Sequence, residues 1–351
     1  MKISLRWLSR HVDLSGIDPK QILADLTMST AEVDDLIRFG DGLEPLVVGH
    51  VRKREKHPDA DKLSVCEVDL GSSGGVTQIV CGAPNVDVGK RVVVIKPGDT
   101  LPAAGGKGAL KIKVGKIRGV ESHGMICSES ELGLSDEADG IFVLPADTEI
   151  GARFVDVCPV QDWVFEIDNK SINHRPDLWG HYGFARELAA IYGREFKPIV
   201  VPTELPKAGK QIKITIDDKV ACPRYCGLMI DGVVSGPSPN ELRWQLQAVD
   251  QRAINLPVDL TNFVMLDLGQ PMHAFDARHV CDSDIRVRRA VAGETITTLD
   301  GQQRKLDDQD LLICAGDKPE ALAGIMGGEG TMVEDGTTSL FLESANFRAS
   351  T

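Results

Sequence analysis

Aromatic residues are scarce in this 351-residue chain, 5% of the total, and none lies between Arg52 and Arg118. That stretch therefore offers no base-stacking platform of the kind single-stranded nucleic acid uses. No apolar run approaches the ~18 residues of a membrane helix. The opening Met1-Lys-Ile-Ser-Leu-Arg-Trp-Leu-Ser-Arg10 also breaks its apolar residues with charge before a signal-peptide core can form. The eight cysteines, at 66, 81, 127, 158, 222, 226, 281 and 314, make no dense framework, so free thiols in a reducing, cytoplasmic setting are expected. Basic residues are in deficit, 39 against 52 acidic, for a net charge of −13. This excludes a uniformly basic nucleic-acid binder but allows a local basic face. There is no Gly-x-x-x-x-Gly-Lys-Ser/Thr loop for ATP and no nucleophile elbow. Gly324-Ile-Met-Gly-Gly-Glu-Gly330 lacks dinucleotide spacing and reads as a tight turn for close backbone approach. Cys222 and Cys226 lack the second pair a structural zinc needs, so no metal site is expected.

The length predicts two or three domains. Asp18 caps a helix that starts at Pro19 and turns Ile22, Leu23 and Leu26 to one side. From 44 to 145 the pattern changes to short strand-like runs, Leu46 to Val51, Leu63 to Leu70, Val76 to Cys81, Val92 to Lys96 and Leu110 to Arg118. Five such strands in about a hundred residues predict a small closed barrel of the OB type. Helical spacing returns from Asn173 to Gly193, with Asp177 as the expected cap and Gly193 as the stop. Pro198, Pro202 and Pro206 space out a linker. Beyond it, strand-like Gln211 to Ile216 and Cys226 to Ile230 precede Ser238-Pro-Asn-Glu241, read as a capping box. Strands at Ile285 to Arg288, Asp310 to Cys314 and Leu340 to Glu343 complete a mixed α/β region, 211–351. The chain stops just after an apolar run, at Arg348-Ala-Ser-Thr351, as a truncated domain would.

The local basic face falls in the barrel stretch. Arg52 to Arg118 holds thirteen basic and seven acidic residues, a net +6. Within Leu110-Lys-Ile-Lys-Val-Gly-Lys-Ile-Arg118, Lys111 and Lys113 share one strand face, and a bulge at Gly115 would return Lys116 and Arg118 to it. Such a stripe fits a phosphate backbone. It equally fits a solvated face with lysines guarding a sheet edge.

Two places in the last region carry chemistry-bearing side chains among apolar ones. Val258 to Asp276 contains Thr261, Asn262, His273 and Asp276. His273 is either a catalytic or a structural histidine. Glu343, in Leu340-Phe-Leu-Glu-Ser-Ala345, either pairs with a buried Arg or waits for a hydrogen-bonding ligand, because a buried lone carboxylate is costly.

Taken together, His57-Pro-Asp-Ala-Asp-Lys-Leu-Ser-Val-Cys66, Gln78-Ile-Val-Cys-Gly-Ala-Pro-Asn-Val86, Lys116 to Ser128, Arg175-Pro-Asp177, Gly269-Gln-Pro-Met-His-Ala-Phe-Asp276 and Gly324-Ile-Met-Gly-Gly328 stand in one family's order. The set resembles the β subunit of bacterial phenylalanyl-tRNA synthetase over essentially the whole chain. The resemblance implies an α+β multidomain fold: an N-terminal α/β domain of residues 1–39 and 151–197, an inserted tRNA-binding OB domain at 40–150, a linker at 198–210, and an incomplete editing domain at 211–351. It implies tRNA(Phe) and the synthetase α subunit of an α2β2 enzyme as partners, with ATP and Mg2+ bound outside this segment and no cofactor within it.

It also implies hydrolysis of tyrosine misattached to tRNA(Phe). A phenylalanine pocket rejects an analogue that merely adds a hydroxyl by only ~10²-fold, so a second site must read that hydroxyl. By motif position the hydroxyl acceptor falls on Glu343. The editing histidine falls on His273, pocket-lining polar groups on Thr261 and Asn262, and a glycine leaving room for substrate on Gly324. The basic residues expected to meet tRNA are Lys53, Arg54, Lys62, Lys111, Lys113, Lys116 and Arg118. Whole β subunits in this family are about twice as long, so aminoacylation by this chain alone is not expected. His174 departs from the Asn expected before Arg-Pro-Asp. Two other readings stand beside editing: a non-catalytic tRNA-binding or assembly module, and an unrelated hydrolase using His273 and Asp276.

Overall fold

The computed structural model describes all residues except 103–107, 136, 137, 202, 203, 205–208, 210, 281–283, 350 and 351. Pro202 and Pro206 of the expected linker, Lys107 and Cys281 lie outside the described residues.

A three-stranded antiparallel sheet has Asp162–Ile167 at its centre, flanked by Lys2–Ser4 and Val33–Phe39. The chain thus leaves this body after residue 39 and comes back at 162 to supply the middle strand. Two helices cover it. Pro19–Ser29 starts where Asp18 accepts the Lys20 N–H at 2.9 Å, and His181–Tyr192 ends at left-handed Gly193. Ile22, Leu26, Phe165, Phe184 and Leu188 fill the space between. The second helix starts later than its apolar spacing predicts. Asp177 does not cap it but lies in a short 3-10 turn, Pro176–Leu178, where it pairs with Arg175 and Arg186.

The inserted stretch forms a nearly closed barrel. Its strands run Met125–Ile126, Arg91–Ile95, Val47–Lys56, Ser64–Asp69 and Val76–Cys81, with Val143–Leu144 also on Arg91–Ile95. The seam is closed where His123 donates to the Gln78 carbonyl at 2.8 Å and the Val80 N–H donates to Ser122 Oγ at 3.1 Å. The expected strand Leu110 to Arg118 is in fact two. Leu110–Lys111 pairs with Thr100–Leu101, and Gly115–Ile117 forms a hairpin with Val120–Ser122. Arg118 and Gly119 both turn through positive φ, 46° and 87°, as a two-residue hairpin loop requires. Only Ile112 of the run's apolar residues is buried; Leu110 and Val114 are about half exposed, at 51% and 52%. The alternating-face reading of this run is therefore corrected.

Beyond residue 211 two sheets pack face to face. One holds five strands in chain order, Ile214–Ile216, Ile285–Arg289, Leu311–Ala315, Lys318–Leu322 and Met326–Gly327. The other holds three, with Ser339–Asn346 between Arg224–Asp231 and His273–Asp276, all antiparallel. Tyr225, Phe275, Phe341, Ile285, Val287 and Ile313 make the core between them. Two helices, Asn240–Ala248 and Leu256–Leu268, precede the His273 strand. Ser238 is not a cap: its hydroxyl donates to buried Asp259 at 2.5 Å, and the helix starts at Asn240 with no side-chain cap. Both helices hold this region to the rest of the chain. Arg243 makes paired contacts with Glu129 of the barrel at 2.9 and 3.0 Å. Trp7 lies between the rings of His181 and Phe263, 4.2 and 4.5 Å away and nearly parallel to both.

Candidate functional site

Strand register decides which of the expected residues meet. On adjacent strands His273 pairs directly with Glu343, and Glu343 pairs on its other side with Gly227. Directly opposed residues share a sheet face, so the imidazole and the carboxyl both turn toward the seam between the two sheets. Period two also settles the rival pair. Asp276 stands three residues from His273 on the same strand and so faces the other way. It is fully buried and already held by Arg278 and the Thr337 hydroxyl. Burial pushes its carboxyl up, but those hydrogen bonds outweigh burial and hold it at about 2. A His273–Asp276 hydrolase is excluded by this geometry.

The environments of the two facing groups differ from water. Burial raises the Glu343 carboxyl to about 7, against a hydrogen bond from the Tyr225 hydroxyl at 3.5 Å. Burial lowers the imidazole of His273 to about 4, so at neutral pH the ring is uncharged. It packs edge-on against Phe275, with ring centroids 4.4 Å apart. A neutral imidazole can accept a proton or hydrogen bond from water or a ribose hydroxyl, and a carboxyl group can read a phenol.

The remaining three candidates stand at varying distance from this pair. Thr261 and Asn262 lie on Leu256–Leu268, which packs beside the His273 strand. The Thr261 hydroxyl turns back to its own helix, donating to the Val258 carbonyl at 2.7 Å. Among the described residues no hydrogen bond joins Thr261 or Asn262 to His273 or Glu343. Gly324 sits at a φ of +70°, and a β-carbon there would lie 3.1 Å from the Phe347 ring. The expected close backbone approach in the Gly324 to Gly330 turn falls at Gly327, which lies against the imidazole of His273, and at Gly328, which lies against the Glu320 carbonyl. Cys222 is buried, and Cys226, on the following strand, is exposed; both are free thiols. Among the described residues no group of three His, Cys, Asp or Glu is arranged to hold a metal ion.

On the barrel, Arg54 and Lys62 line a cleft of about 780 Å³ together with Lys56. Lys111 and Lys113 line a second, of about 560 Å³, and both clefts share Gly82, Ala83 and Pro84. Lys116 pairs across its hairpin with Glu121 at 3.7 Å, and Arg118 donates to the Asp59 carbonyl. Lys53 points elsewhere, toward Glu55 and Glu67. The first cleft is not purely basic, since Asp61 and Asp87 also line it.

Two family models match the chain: one described as "Putative tRNA binding domain" over residues 46–153, the other as "B3/4 domain" over 221–351. The phenylalanine–tRNA ligase β subunit of Bdellovibrio bacteriovorus is 44% identical over 353 residues, 99% of this chain and 42% of that protein. The β subunits from Oleidesulfovibrio alaskensis, at 45%, and Geobacillus kaustophilus, at 42%, align over 100% and 99% of this chain and each over 43% of their own length. The chain belongs to the phenylalanine–tRNA ligase β-subunit family. It spans less than half the length of these curated relatives. A solved N-terminal fragment of the phenylalanyl-tRNA synthetase β subunit from Pyrococcus horikoshii matches 54% of this chain and 57% of that one at 18% identity, with a TM-score of 0.30.

Within this β-subunit family member, two contributors escaped the sequence reading. Tyr225 gave no periodic signal that set it apart from core. Lys56 was one of thirteen basic residues until the register placed it at the mouth of the barrel, opposite Ser64.

Proposed function

We propose that this chain supplies tRNA binding and hydrolytic editing of tyrosyl-tRNA(Phe) to a phenylalanine–tRNA ligase. The observation that carries the editing half is the direct pairing of His273 with buried Glu343 on one face of the inter-sheet seam. Glu343 accepts the tyrosine hydroxyl, and a bound phenylalanine leaves the same buried group unpaired, which disfavours it. Neutral His273 positions a water or the terminal ribose against the ester carbonyl. Water adds to the carbonyl, the ribose oxygen leaves and takes a proton, and free tyrosine and tRNA result, with no covalent enzyme intermediate. By motif position, Thr261, Asn262 and Gly324 are assigned to the substrate pocket around this pair.

The domain division follows the same reading: residues 1–39 with 151–197, the barrel at 40–150, a linker at 198–210, and the editing region from 211. The barrel holds tRNA backbone through Arg54, Lys62, Lys111, Lys113, Lys116 and Arg118, with Lys53 as an outlying contact. Its exposed ion pairs are weak enough for phosphate to replace the carboxylates. The α subunit is the protein partner, and ATP and Mg2+ act on parts of the enzyme other than this stretch.

The test is release of tyrosine from tyrosyl-tRNA(Phe) by the 351-residue chain, against phenylalanyl-tRNA(Phe) and a His273→Ala variant. Selective hydrolysis lost in the variant is the expected result. Salt-sensitive tRNA binding with no hydrolysis would instead mark a non-catalytic tRNA-binding module.

A further inference from the structure

Tyr225 reaches Glu343 on the same sheet face as His273, from the strand that flanks Glu343 on the other side. On Arg224–Asp231 it alternates with exposed Arg224 and Cys226, so its ring turns into the inter-sheet core and is buried there. Its hydroxyl donates to Glu343 Oε2 at 3.5 Å, long beside the usual 2.7–2.8 Å of an O–H···O bond. Among the described residues, the other ionisable groups set against Glu343 are the Cys222 thiol and, in the same cross-strand row, His273. Neither brings a positive charge at neutral pH: burial, with Glu343 adding to it, raises the thiol to about 11, and the imidazole is neutral. Among the described residues, the one hydrogen-bond donor to the buried Glu343 carboxyl is a phenol, that of Tyr225. A carboxylate offers about four lone-pair sites, and Tyr225 occupies one.

We infer that Tyr225 is a specificity-determining positioning residue, whose hydroxyl keeps Glu343 an acceptor at one carboxylate oxygen and leaves the other for the hydroxyl of a tyrosyl ester. The inference rests on the editing function proposed above. Without the Tyr225 donor, burial drives Glu343 toward its protonated form. A protonated carboxyl is a donor as well as an acceptor, and it costs less to leave unpaired than a carboxylate. Both changes weaken the penalty that excludes phenylalanine, so the ratio of tyrosyl to phenylalanyl hydrolysis falls. Burial already raises the Glu343 carboxyl and the Tyr225 bond opposes it, which gives the direction of the change.

The experiment compares the whole chain with its Tyr225→Phe variant, which keeps the ring and removes only the hydroxyl. Two readouts are taken from about pH 6 to about pH 9. One is infrared titration of ¹³C-labelled glutamate, with the Glu343 band identified by its loss in Glu343→Gln. The other is the hydrolysis of tyrosyl- and phenylalanyl-tRNA(Phe). The Glu343 band should titrate at higher pH in Tyr225→Phe. The tyrosyl-over-phenylalanyl ratio should fall about tenfold at neutral pH, the size of one hydrogen bond to a charged group, and recover at the alkaline end. The double variant Tyr225→Phe/Glu343→Gln should be no less selective than Glu343→Gln alone. An unmoved titration, a loss equal at every pH, or additive losses would each overturn the inference. Should the wild-type chain hydrolyse neither ester, the editing function fails, and the infrared titration alone decides whether Tyr225 governs the protonation of Glu343.

Discussion

Gly327 lies so close to His273 that a β-carbon on the glycine would stand 2.5 Å from Cε1 and 2.7 Å from Nε2 of the imidazole, and 3.1 Å from Leu299. Hydrogen fits there and a methyl group does not. Gly327→Ala is therefore expected to push the ring off its row with Glu343 and, on the proposed editing function, to lower tyrosyl-ester hydrolysis by about tenfold or more, the usual scale for a displaced reacting or positioning group. Filter binding of tRNA, proposed above to rest on the barrel, should be unchanged. Equal losses of hydrolysis and tRNA binding would show a general folding defect instead.

How far the site was legible in the sequence is visible in this same contact. The Gly324 to Gly330 run announced a close backbone approach, but nothing in it named His273 as the group approached. Short strand-like runs bounded by firm turn residues, such as Val76–Cys81 between Gly75 and Gly82, were legible to the residue. The Leu110 to Arg118 run was not, because the turns that split it depend on pairing with Thr100–Leu101 on one side and Val120–Ser122 on the other. The Leu256–Leu268 helix passed unread although Asn255 caps it, Pro257 sits in its first turn and left-handed Gly269 ends it. Its sequence is apolar nearly all round, so no amphipathic period marked it. His273 and Glu343 were nameable through the family resemblance, while their direct pairing needed the strand register.

Glu343 and His273 change stability with pH in opposite senses. The folded chain binds a proton on Glu343 up to about pH 7, whereas the unfolded carboxyl releases it near its ordinary 4.5. That contribution is full below 4.5 and is lost as pH rises through 7. His273 titrates at about 4 when folded against an ordinary 6.5, so its contribution is full above 6.5 and is lost as pH falls through 4. Glu343→Gln, which resembles the protonated form, should raise Tm above pH 7, by the equivalent of about 3 kcal/mol at most, and leave it unchanged near pH 4. A gain of equal size at both ends would refute the assignment of the raised titration to Glu343.

Asp267 joins the first body to the helix that precedes His273. One of its carboxylate oxygens accepts from Trp7 Nε1 at 2.9 Å and from His11 Nε2 at 2.7 Å, while His181 Nδ1 donates to the neighbouring Leu266 carbonyl at 2.7 Å. Asp267→Ala leaves two buried donors without an acceptor. A loss of about 3 kcal/mol is expected, read as a lowered urea midpoint by tryptophan fluorescence. Gly180→Ala should act at the same junction, since its β-carbon would stand 2.5 Å from the Asp267 carbonyl oxygen. A midpoint unchanged in both variants would mean that the junction does not hold the two bodies together.

At the barrel rim, buried His57 ties together two loops that carry basic residues. Its Nδ1 accepts the Asp59 N–H at 3.1 Å, so Nε2 carries the proton and donates to the Ile117 carbonyl at 3.0 Å. The first bond holds the loop bearing Lys62, and the second holds the hairpin bearing Lys116 and Arg118. Cutting both with His57→Ala removes no charge that faces solvent, yet it frees the two loops to separate. Affinity for tRNA should fall about fivefold, roughly 1 kcal/mol, from lost preorganisation. Lys62→Ala differs in kind: it removes one cation from the same rim and should lower the slope of log affinity against log salt by about one. Anisotropy titrations at several salt concentrations separate the two effects. Wild-type binding by both variants would move the tRNA contact away from this rim.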